Sequence, residues 1–289
     1  MKIDFHVHIT PPEITGNWEK YARKEKYFSL LSKNPHNKYA CAEDIIAALD
    51  QNGFDHAVVF GFAFKDQGLC RFVNDYVIEK VLQFPGRLTG FISVSPDKKG
   101  AEKEIERCYA SGLRGIGELY PDGQGFNIDN EKETRKLTQI CKELDMPLIL
   151  HVNEPVGHDY IGKNNIPLKK IERFISNSQN LKIVLAHFGG GLLFYETMKE
   201  IKEKFRNVYY DTAAAPFLYD SRIYNAAKSL GLCEKILFGS DFPLLPQMRY
   251  MYGIEKSALS AEEKKLVLGE NALKILKTEK KNVKFNSNS

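Results

Sequence analysis

Six side chains that can bind a divalent metal ion stand near the ends of apolar, β-branched runs in this chain. The runs read KIDFHVHI, LRGIGELYP, PLILHVN, KIVLAHFGGG and KILFGSDFP. The six residues, in chain order, are His6, His8, Glu118, His151, His187 and Asp241. Because neutral imidazole and carboxylate are the usual ligands of Zn²⁺ and similar ions, the sequence predicts one metal centre supplied by several strands.

The first run carries the motif His-x-His, at His6 and His8. Side chains two residues apart on a β-strand point to the same face, roughly 6–7 Å apart, so these two imidazoles can converge on one ion. A single histidine after an apolar run is more often a hydrogen-bonded core residue than a ligand. The prediction therefore depends on the six residues together, each followed by a loop or helix signal.

The composition is that of a globular protein with a large core. Of 289 residues, 43% are hydrophobic and 27% are charged. The net charge of +4 is too small to favour nucleic-acid binding. The five cysteines are scattered and form no CxxC pair, which favours reduced thiols in a cytoplasmic protein. No apolar run approaches 18 residues and the candidate ligands begin at residue 6, so we expect neither a membrane span nor a cleaved leader.

Eight apolar runs alternate with helix-like segments along the chain. These runs are Lys2–Ile9, His56–Phe62, Thr89–Ser95, Leu113–Leu119, Met146–Val152, Lys182–Phe188, Val208–Ala214 and Lys235–Asp241. Several are apolar at consecutive positions, which is typical of parallel strands buried on both faces. The alternation predicts an α/β fold, a single-domain (β/α)₈ TIM barrel over residues 1–277, followed by a C-terminal tail at 278–289. The alternative, an open doubly wound sheet, is disfavoured because no GxGxxG follows the first run.

The segments between the runs show the 3.6-residue period of amphipathic helices, as in Leu137, Ile140 and Leu144. Gly53 predicts the end of an early helix, and a capping-box pattern at Ser260 predicts the start of a late one. Active sites of such barrels lie at the C-terminal ends of the strands, where every candidate ligand stands.

Two connections are long, Thr10–Ala40 after strand one and Asn153–Pro167 after strand five. Long loops on this face are candidate pocket walls, although their aromatic residues could equally pack over the barrel mouth. The aromatic and histidine residues of the first loop are Trp18, Tyr21, Tyr27, Phe28 and His36. The substrate contacts that we expect are Trp18, Tyr120, Asn153, His158 and Lys163.

The order of these motifs resembles the amidohydrolase superfamily of metal-dependent barrels, and most closely its amidohydrolase-related (amidohydrolase 2) branch. The resemblance runs from DFHVH to NALKIL, nearly the whole chain. In that family the strand-one pair, the strand-five histidine and the strand-eight aspartate bind metal. The resemblance therefore implies His6, His8, His151 and Asp241 as ligands, and His187 as either a ligand of a second ion or a residue that handles the substrate.

Strand four separates the branches of that superfamily. Many members carry a carbamylated lysine there, whereas this chain reads Gly-Ile-Gly-Glu and offers Glu118. This is similar to the TatD-like branch, in which a glutamate bridges two metals. The alternative is that Glu118 accepts a hydrogen bond from a ligand histidine. We expect one or two divalent ions, Zn²⁺ first, with Mn²⁺ or Fe²⁺ as alternatives.

The expected activity is hydrolysis of a C–N or C–O bond in a small carbonyl substrate, such as an amide, lactone or cyclic imide, by a metal-activated water. Asp241 would accept the proton of that water and later deliver it to the leaving group. His187 would polarise the substrate carbonyl or, with Glu118, hold a second ion. Family analogy also suggests a homodimer.

Two other reactions fit the same fold. Metal-dependent, non-oxidative decarboxylation of an aromatic or unsaturated acid would use one ion and an arginine that holds the carboxylate. The arginines considered for that role are Arg114, Arg222 and Arg249. A TatD-like deoxyribonuclease would share the strand-four glutamate, but the near-neutral charge of the chain disfavours it.

Overall fold

The computed structural model of the protein describes residues 1–33 and 38–276. His36 and the predicted tail at 278–289 lie outside the described residues. Across the described ranges, no helix combines the length and apolar character needed to cross a membrane.

Eight parallel strands form within the described ranges, in the predicted order. They are β1 Ile3–His8, β2 His56–Phe60, β3 Leu88–Gly90, β4 Ile116–Leu119, β5 Leu148–Leu150, β6 Ile183–Leu185, β7 Val208–Asp211 and β8 Ile236–Leu237. Each strand is shorter than the apolar run that predicted it, because the last residues of most runs turn into the following loop. The eighth differs most, since only two residues of Lys235–Asp241 are strand.

The strands make two sheets, ordered β1-β2-β3 and β4-β5-β6-β7-β8. This corrects the prediction of one continuous barrel, because at each of the two seams the ladder is reduced to a single bridge. Backbone hydrogen bonds still span both seams. The Phe5 N–H donates to the Phe238 carbonyl at 2.7 Å, and the Ile92 N–H donates to the Gly115 carbonyl at 2.8 Å. Strand number, order and direction are as predicted.

Helices follow the strands along the chain. The first are α1 Pro12–Thr15, α2 Trp18–Ala22, α3 Lys26–Ser32, α4 Ala42–Asn52, α5 Gln67–Gln83, α6 Ala101–Ala110, α7 Pro121–Gln124 and α8 Glu131–Glu143. The others are α9 Leu168–Asn177, α10 Lys199–Lys204, α11 Ala215–Leu218, α12 Ile223–Ser229, α13 Met248–Lys256, α14 Ala261–Lys265 and α15 Asn271–Leu276. Both predicted end signals are confirmed: Gly53 ends α4 with a φ of 67°, and Ser260 begins α14 with a capping box.

The interior between the strands is filled by one apolar cluster. Its members are Ile3, Phe5, Val58, Phe60, Phe91, Ile149, Val184, Ala186, Leu237, Ala272 and Ile275. In β2, Val58 and Phe60 belong to this cluster, whereas Ala57 and Val59 belong to a second cluster shared with the helices. Because α15 contributes Ala272 and Ile275, the last helix packs beneath the strands and closes the end opposite the metal ligands.

A register shift in β1 sets the direction of the first two candidate ligands. The shift falls between Asp4 and Val7. Phe5 faces the interior and packs edge-on against Phe91, and the next residue, His6, also faces the interior, where its ring packs on Phe60. In a regular strand, consecutive side chains point to opposite faces. The bulge turns both Phe5 and His6 inward, so that a core residue is followed directly by a candidate metal ligand.

Candidate metal centre

All six predicted ligands meet at the C-terminal ends of the strands, in two adjoining groups. His6, His8 and Asp241 form the first group, and Glu118, His151 and His187 form the second. Within each group the donor atoms lie within 4.8 Å of one another. In the first group, for example, His8 Nε2 lies 3.3 Å from His6 Nε2 and 3.5 Å from Asp241 Oδ1.

Glu118 lies between the two groups and presents one carboxylate oxygen to each. Its Oε2 is 3.9 Å from His6 Nε2 and 3.7 Å from His8 Nε2. Its Oε1 is 2.8 Å from His151 Nδ1 and 3.8 Å from His187 Nε2. A carboxylate placed in this way can bridge two ions, with one oxygen for each.

Asp211 orients two of the ligand histidines. Its Oδ2 accepts a hydrogen bond from Nδ1–H of His6 at 2.9 Å, while its Oδ1 accepts the backbone N–H groups of His187 and Ala213, both at 3.0 Å. Nδ1–H of His187 donates to the carbonyl of Ala213 at 2.8 Å. With the proton held on Nδ1 in both rings, each Nε2 is left as the metal-binding atom.

His151 is held in the opposite tautomer. Its Nε2 faces two acceptors, Oδ1 of Asn153 at 2.8 Å and the carbonyl of Gly162 at 3.1 Å, so this nitrogen carries the proton. Nδ1, which faces Glu118, is therefore the lone-pair donor of the neutral ring. Since the backbone N–H of Asn164 also donates to Oδ1 of Asn153, that oxygen is fixed toward the histidine.

His8 is positioned by an aromatic ring instead of a polar partner. Its imidazole stacks on Phe62 at 4.8 Å between ring centroids, nearly parallel. Its Nδ1 is buried and has no hydrogen-bond partner in the described part of the chain, while Nε2 faces the other donors. Nε2 is therefore the only nitrogen of this ring that faces the other candidate ligands.

The carboxylates give the centre a negative charge. Burial tends to raise the pKa of Glu118, but the nearby His151 and His6 hold it down, at about 2. The pKa of Asp241 is likewise well below its usual range, because the hydrogen bond from His8 and the charge of His6 outweigh its burial. Ionised carboxylates and imidazole nitrogens that converge in a buried pocket suit one or two divalent cations.

Asp241 reaches the centre from beyond the end of β8. It lies four residues past that strand, with a φ of 58°, and its N–H donates to the carbonyl of His6 at 2.9 Å. Behind it, the fully buried Asp4 accepts the N–H of Ser240 at 2.8 Å and an amide hydrogen of Gln247 at 2.8 Å. Burial raises the pKa of Asp4 to about 6, despite these hydrogen bonds. Asp4 was not among the predicted residues, because an aspartate inside a strand offers no pattern of its own.

A cavity of about 460 Å³ opens above the centre, within the range usual for small-molecule sites. Its floor is made by His8, Glu118, His151, His187 and Asp241. Its walls are mainly aromatic and aliphatic: Tyr27, Leu31, Phe62, Ala63, Tyr160, Ile161, Ala214, Phe217, Leu218, Pro243 and Leu244. Among the described lining residues, Lys38 is the one lysine, and there is no arginine.

Two of the five expected substrate contacts line this cavity, namely Asn153 and His158. The other three lie outside its wall. Tyr120 is stacked behind Tyr27, and Lys163 points back into its own loop, where Nζ donates to the carbonyls of Val156 and His158. Trp18 packs against the hydrophobic core.

The three arginines considered for carboxylate binding also lie away from the cavity. Arg114 donates to the carbonyls of Tyr109 and Leu113. Arg222 pairs with Asp220 at the surface, and Arg249 is exposed. Sequence patterns could not place them, because most arginines lie on the surface and no local spacing marks the few that line a site.

Several residues of the cavity wall were not among the substrate contacts predicted from the sequence. Phe62 lies two residues after β2 and Phe217 six residues after β7, so an aromatic residue just beyond a strand is a signal that could have found them. Tyr160 and Lys38 carry no such signal, because their positions depend on how the two long connections fold.

Comparison with solved structures supports the architecture. The chain is similar to the 5-carboxyvanillate decarboxylase of Novosphingobium aromaticivorans, solved with manganese, at 16% sequence identity, with 96% of each chain covered and a TM-score of 0.77. It is similar to the 5-carboxyvanillate decarboxylase of Sphingomonas paucimobilis at 18% identity, with 95% of this chain and 98% of that chain covered and a TM-score of 0.75. It is also similar to a probable 2-pyrone-4,6-dicarboxylic acid hydrolase from Acinetobacter baumannii (17%, 95% and 98%, 0.66). At such identities the likeness shows the TIM-barrel fold alone.

The sequence itself matches the Amidohydrolase family over residues 3–278, nearly its full length. This span contains all six candidate ligands and both seams between the sheets. The resemblance found in the order of the motifs is thereby confirmed, and the chain belongs to the Amidohydrolase family.

Proposed function

We propose that this protein is a metal-dependent hydrolase that cleaves a C–N or C–O bond in a small carbonyl compound, such as an amide, lactone or cyclic imide. The observation that carries the proposal is the position of Glu118, whose two oxygens face two separate groups of ligands. A pair of ions can hold both the attacking water and the substrate oxygen, which suits hydrolysis at a carbonyl. Zn²⁺ is the expected ion, with Mn²⁺ or Fe²⁺ as alternatives.

Each residue of the centre has a role in this reaction. His6, His8 and Asp241 would hold one ion, His151 and His187 would hold the other, and Glu118 could contribute an oxygen to each. When bound, such ions activate water near neutral pH and polarise the substrate carbonyl. Asp241 lines the cavity, so it accepts the proton of the attacking water and delivers it to the leaving group. The apolar walls exclude bulk water from the reacting atoms.

The first test is the metal content of protein purified without chelator, measured by plasma mass spectrometry. We expect about two ions per chain, and about one or fewer in Glu118→Gln, because an amide nitrogen has no lone pair for a metal. The matched control is Glu196→Gln, which alters a buried glutamate that pairs with Lys235 outside the cavity wall. One ion in the wild type would contradict the two-ion centre and favour the alternative below.

The alternative is metal-dependent decarboxylation of an aromatic or unsaturated acid. The flat aromatic walls of the cavity favour such a substrate, and two similar solved structures are decarboxylases. Lys38, in place of an arginine, would then hold the carboxylate. Assays for CO₂ release from a panel of aromatic acids, run beside assays of lactones, esters and amides, separate the two reactions. Turnover only in the first panel would overturn the hydrolase proposal.

A further inference from the structure

Tyr27 is a wall residue of the cavity with a defined set of neighbours. It lies on α3, within the long connection after β1, and it lines the same cavity as Glu118, His151 and Asp241. A Cβ built on Gly162 would lie 3.8 Å from the hydroxyl oxygen of Tyr27, and the carbonyl of Gly162 accepts a hydrogen bond from His151, so the phenol lies at the His151 end of the cavity. Neither ligand chemistry nor family membership assigns it a role.

The ring of Tyr27 is held rigidly. It stacks on Tyr120 at 3.9 Å between centroids, with the planes only 13° apart. Tyr120 is itself fixed, because its hydroxyl donates to the carbonyl of Gly162 at 3.3 Å and its ring packs edge-on against His151 at 4.6 Å. The phenol is therefore supported by the same segment that supports a metal ligand, as a preorganised donor requires.

The hydroxyl of Tyr27 is available to a ligand. It makes no hydrogen bond within residues 1–33 and 38–276, whereas the hydroxyls of the neighbouring Tyr120 and Tyr160 are both engaged. Burial, followed by the charges of Tyr120 and Glu118, raises the pKa of Tyr27 well above its usual value. The group therefore remains a neutral O–H donor throughout the working pH range.

We propose that Tyr27 is a catalytic residue that donates a hydrogen bond to the substrate oxygen on which negative charge develops. This inference rests on the proposed hydrolysis, in which attack of water turns the carbonyl oxygen into an oxyanion. The proton stays on Tyr27, so the step needs no other reactant. Donors fixed in advance and aimed at a developing oxyanion stabilise the transition state more than the bound substrate.

The test compares Tyr27→Phe with Tyr21→Phe, which removes a hydroxyl from the same loop outside the cavity wall. The readouts are kcat and KM on a lactone or amide that the wild type hydrolyses, and metal content. We expect Tyr27→Phe to lower kcat roughly 100-fold, with KM much less affected and metal content unchanged. Wild-type kcat in Tyr27→Phe would overturn the proposal.

A binding measurement tests the same hydrogen bond without turnover. Phenylphosphonate is a tetrahedral anion that mimics the intermediate, and its affinity is measured by calorimetry on the metal-loaded protein. We expect about 10-fold weaker binding to Tyr27→Phe and unchanged binding to Tyr21→Phe. Equal affinity in both variants, or no binding by the wild type, would overturn the proposal. If hydrolysis itself fails, this measurement still decides whether Tyr27 donates to an oxyanion.

Discussion

At the scale of single residues, the centre depends on which nitrogen of each histidine carries the proton. Asp211 sets this for His6, and its other oxygen is already occupied by the N–H groups of His187 and Ala213. Its two oxygens are therefore not interchangeable. The carboxylate is fully buried, so no solvent can substitute for it.

We expect Asp211→Asn to lose metal. The two backbone N–H groups require the amide oxygen, which turns the amide NH₂ toward His6. Nδ1 must then accept, so the proton moves to Nε2, the atom that would bind the ion. The expected loss is roughly 10- to 100-fold in metal affinity, measured by competition with a chromogenic chelator. Asp220→Asn, at the exposed Asp220, is the control; equal affinities would contradict the assigned tautomer.

The pH dependence of binding gives a second readout of the same variant. Burial lowers the pKa of His6, but the carboxylates of Asp211, Glu118 and Asp241 outweigh it and raise the pKa to about 10. The metal-free ring is therefore protonated at pH 7 and releases that proton when an ion binds. Affinity should rise with pH up to about 10, and Asp211→Asn should release fewer protons.

The convergence of the six candidate ligands could be predicted from the sequence because each stands near the end of an apolar run. Asp211 lies in the seventh apolar run, where an aspartate can equally cap a loop or orient a histidine, and Asp4 lies inside a strand, where no pattern marks it. Their partners, His6 and Ser240, are 205 and 236 residues away along the chain. A sequence pattern records local spacing, so it cannot reveal hydrogen bonds between distant strands.

At the scale of elements, the segment after β6 is shaped by an unusual run of backbone. His187, Phe188, Gly189 and Gly190 all have φ between 52° and 63°. This conformation turns the chain immediately after the ligand His187. It also brings Gly190 against the backbone of Asn153, where the segment that supports His151 begins.

We expect Gly190→Ala to disturb this contact. A Cβ there would lie 2.3 Å from the carbonyl oxygen of Asn153, besides adopting a left-handed φ of 58°. Gly231 has a similar φ of 71°, but a Cβ there would have no atom within 4 Å. Gly231→Ala therefore serves as the control for backbone strain alone. Gly231→Ala should cost about 1–2 kcal/mol of unfolding free energy, and Gly190→Ala about 1–3 kcal/mol more, measured by urea denaturation. Equal losses would mean that the close approach is absent.

The order of elements could be predicted, but their detail could not. Apolar runs predicted the position of every strand. The backbone hydrogen bonds, which the sequence does not reveal, limit β8 to two residues and leave Asp241 beyond its end. The connection after β1 was expected to be a loop, and it contains α1, α2 and α3. These helices are four to seven residues long, too short to form without tertiary contacts, so their periodicity was not visible.

At the scale of the whole molecule, the candidate metal centre draws its residues from both sheets. His6 and His8 belong to β1 in the first sheet, whereas Glu118 belongs to β4 in the second, and the other ligands follow strands of that second sheet. At each seam a single bridge and a few backbone hydrogen bonds connect the neighbouring strands. Ions held by these residues would therefore add a connection between the two sheets.

Removal of metal should consequently lower thermal stability. An ion present at about 1,000 times its Kd stabilises the folded state by about 4 kcal/mol, which corresponds to roughly 8–16 °C in Tm for a domain of this size. Scanning calorimetry with and without chelator measures the shift. Hydrogen exchange should also quicken at the seam amides Phe5 and His8, but not at Ile183, which donates within the second sheet. An unchanged Tm would show that the ions do not hold the sheets together.

The floor and the wall of the cavity come from different parts of the chain, so the wall can change while the floor stays the same. The floor is built from residues at strand ends, whereas Tyr27 and Leu31 come from α3, in the connection after β1. Exchange of side chains on this one helix alters the shape presented to a molecule without touching a metal-binding atom. Directed evolution confined to the other positions of α3, with Tyr27 kept, can therefore explore new substrates while the reactive centre is inherited intact.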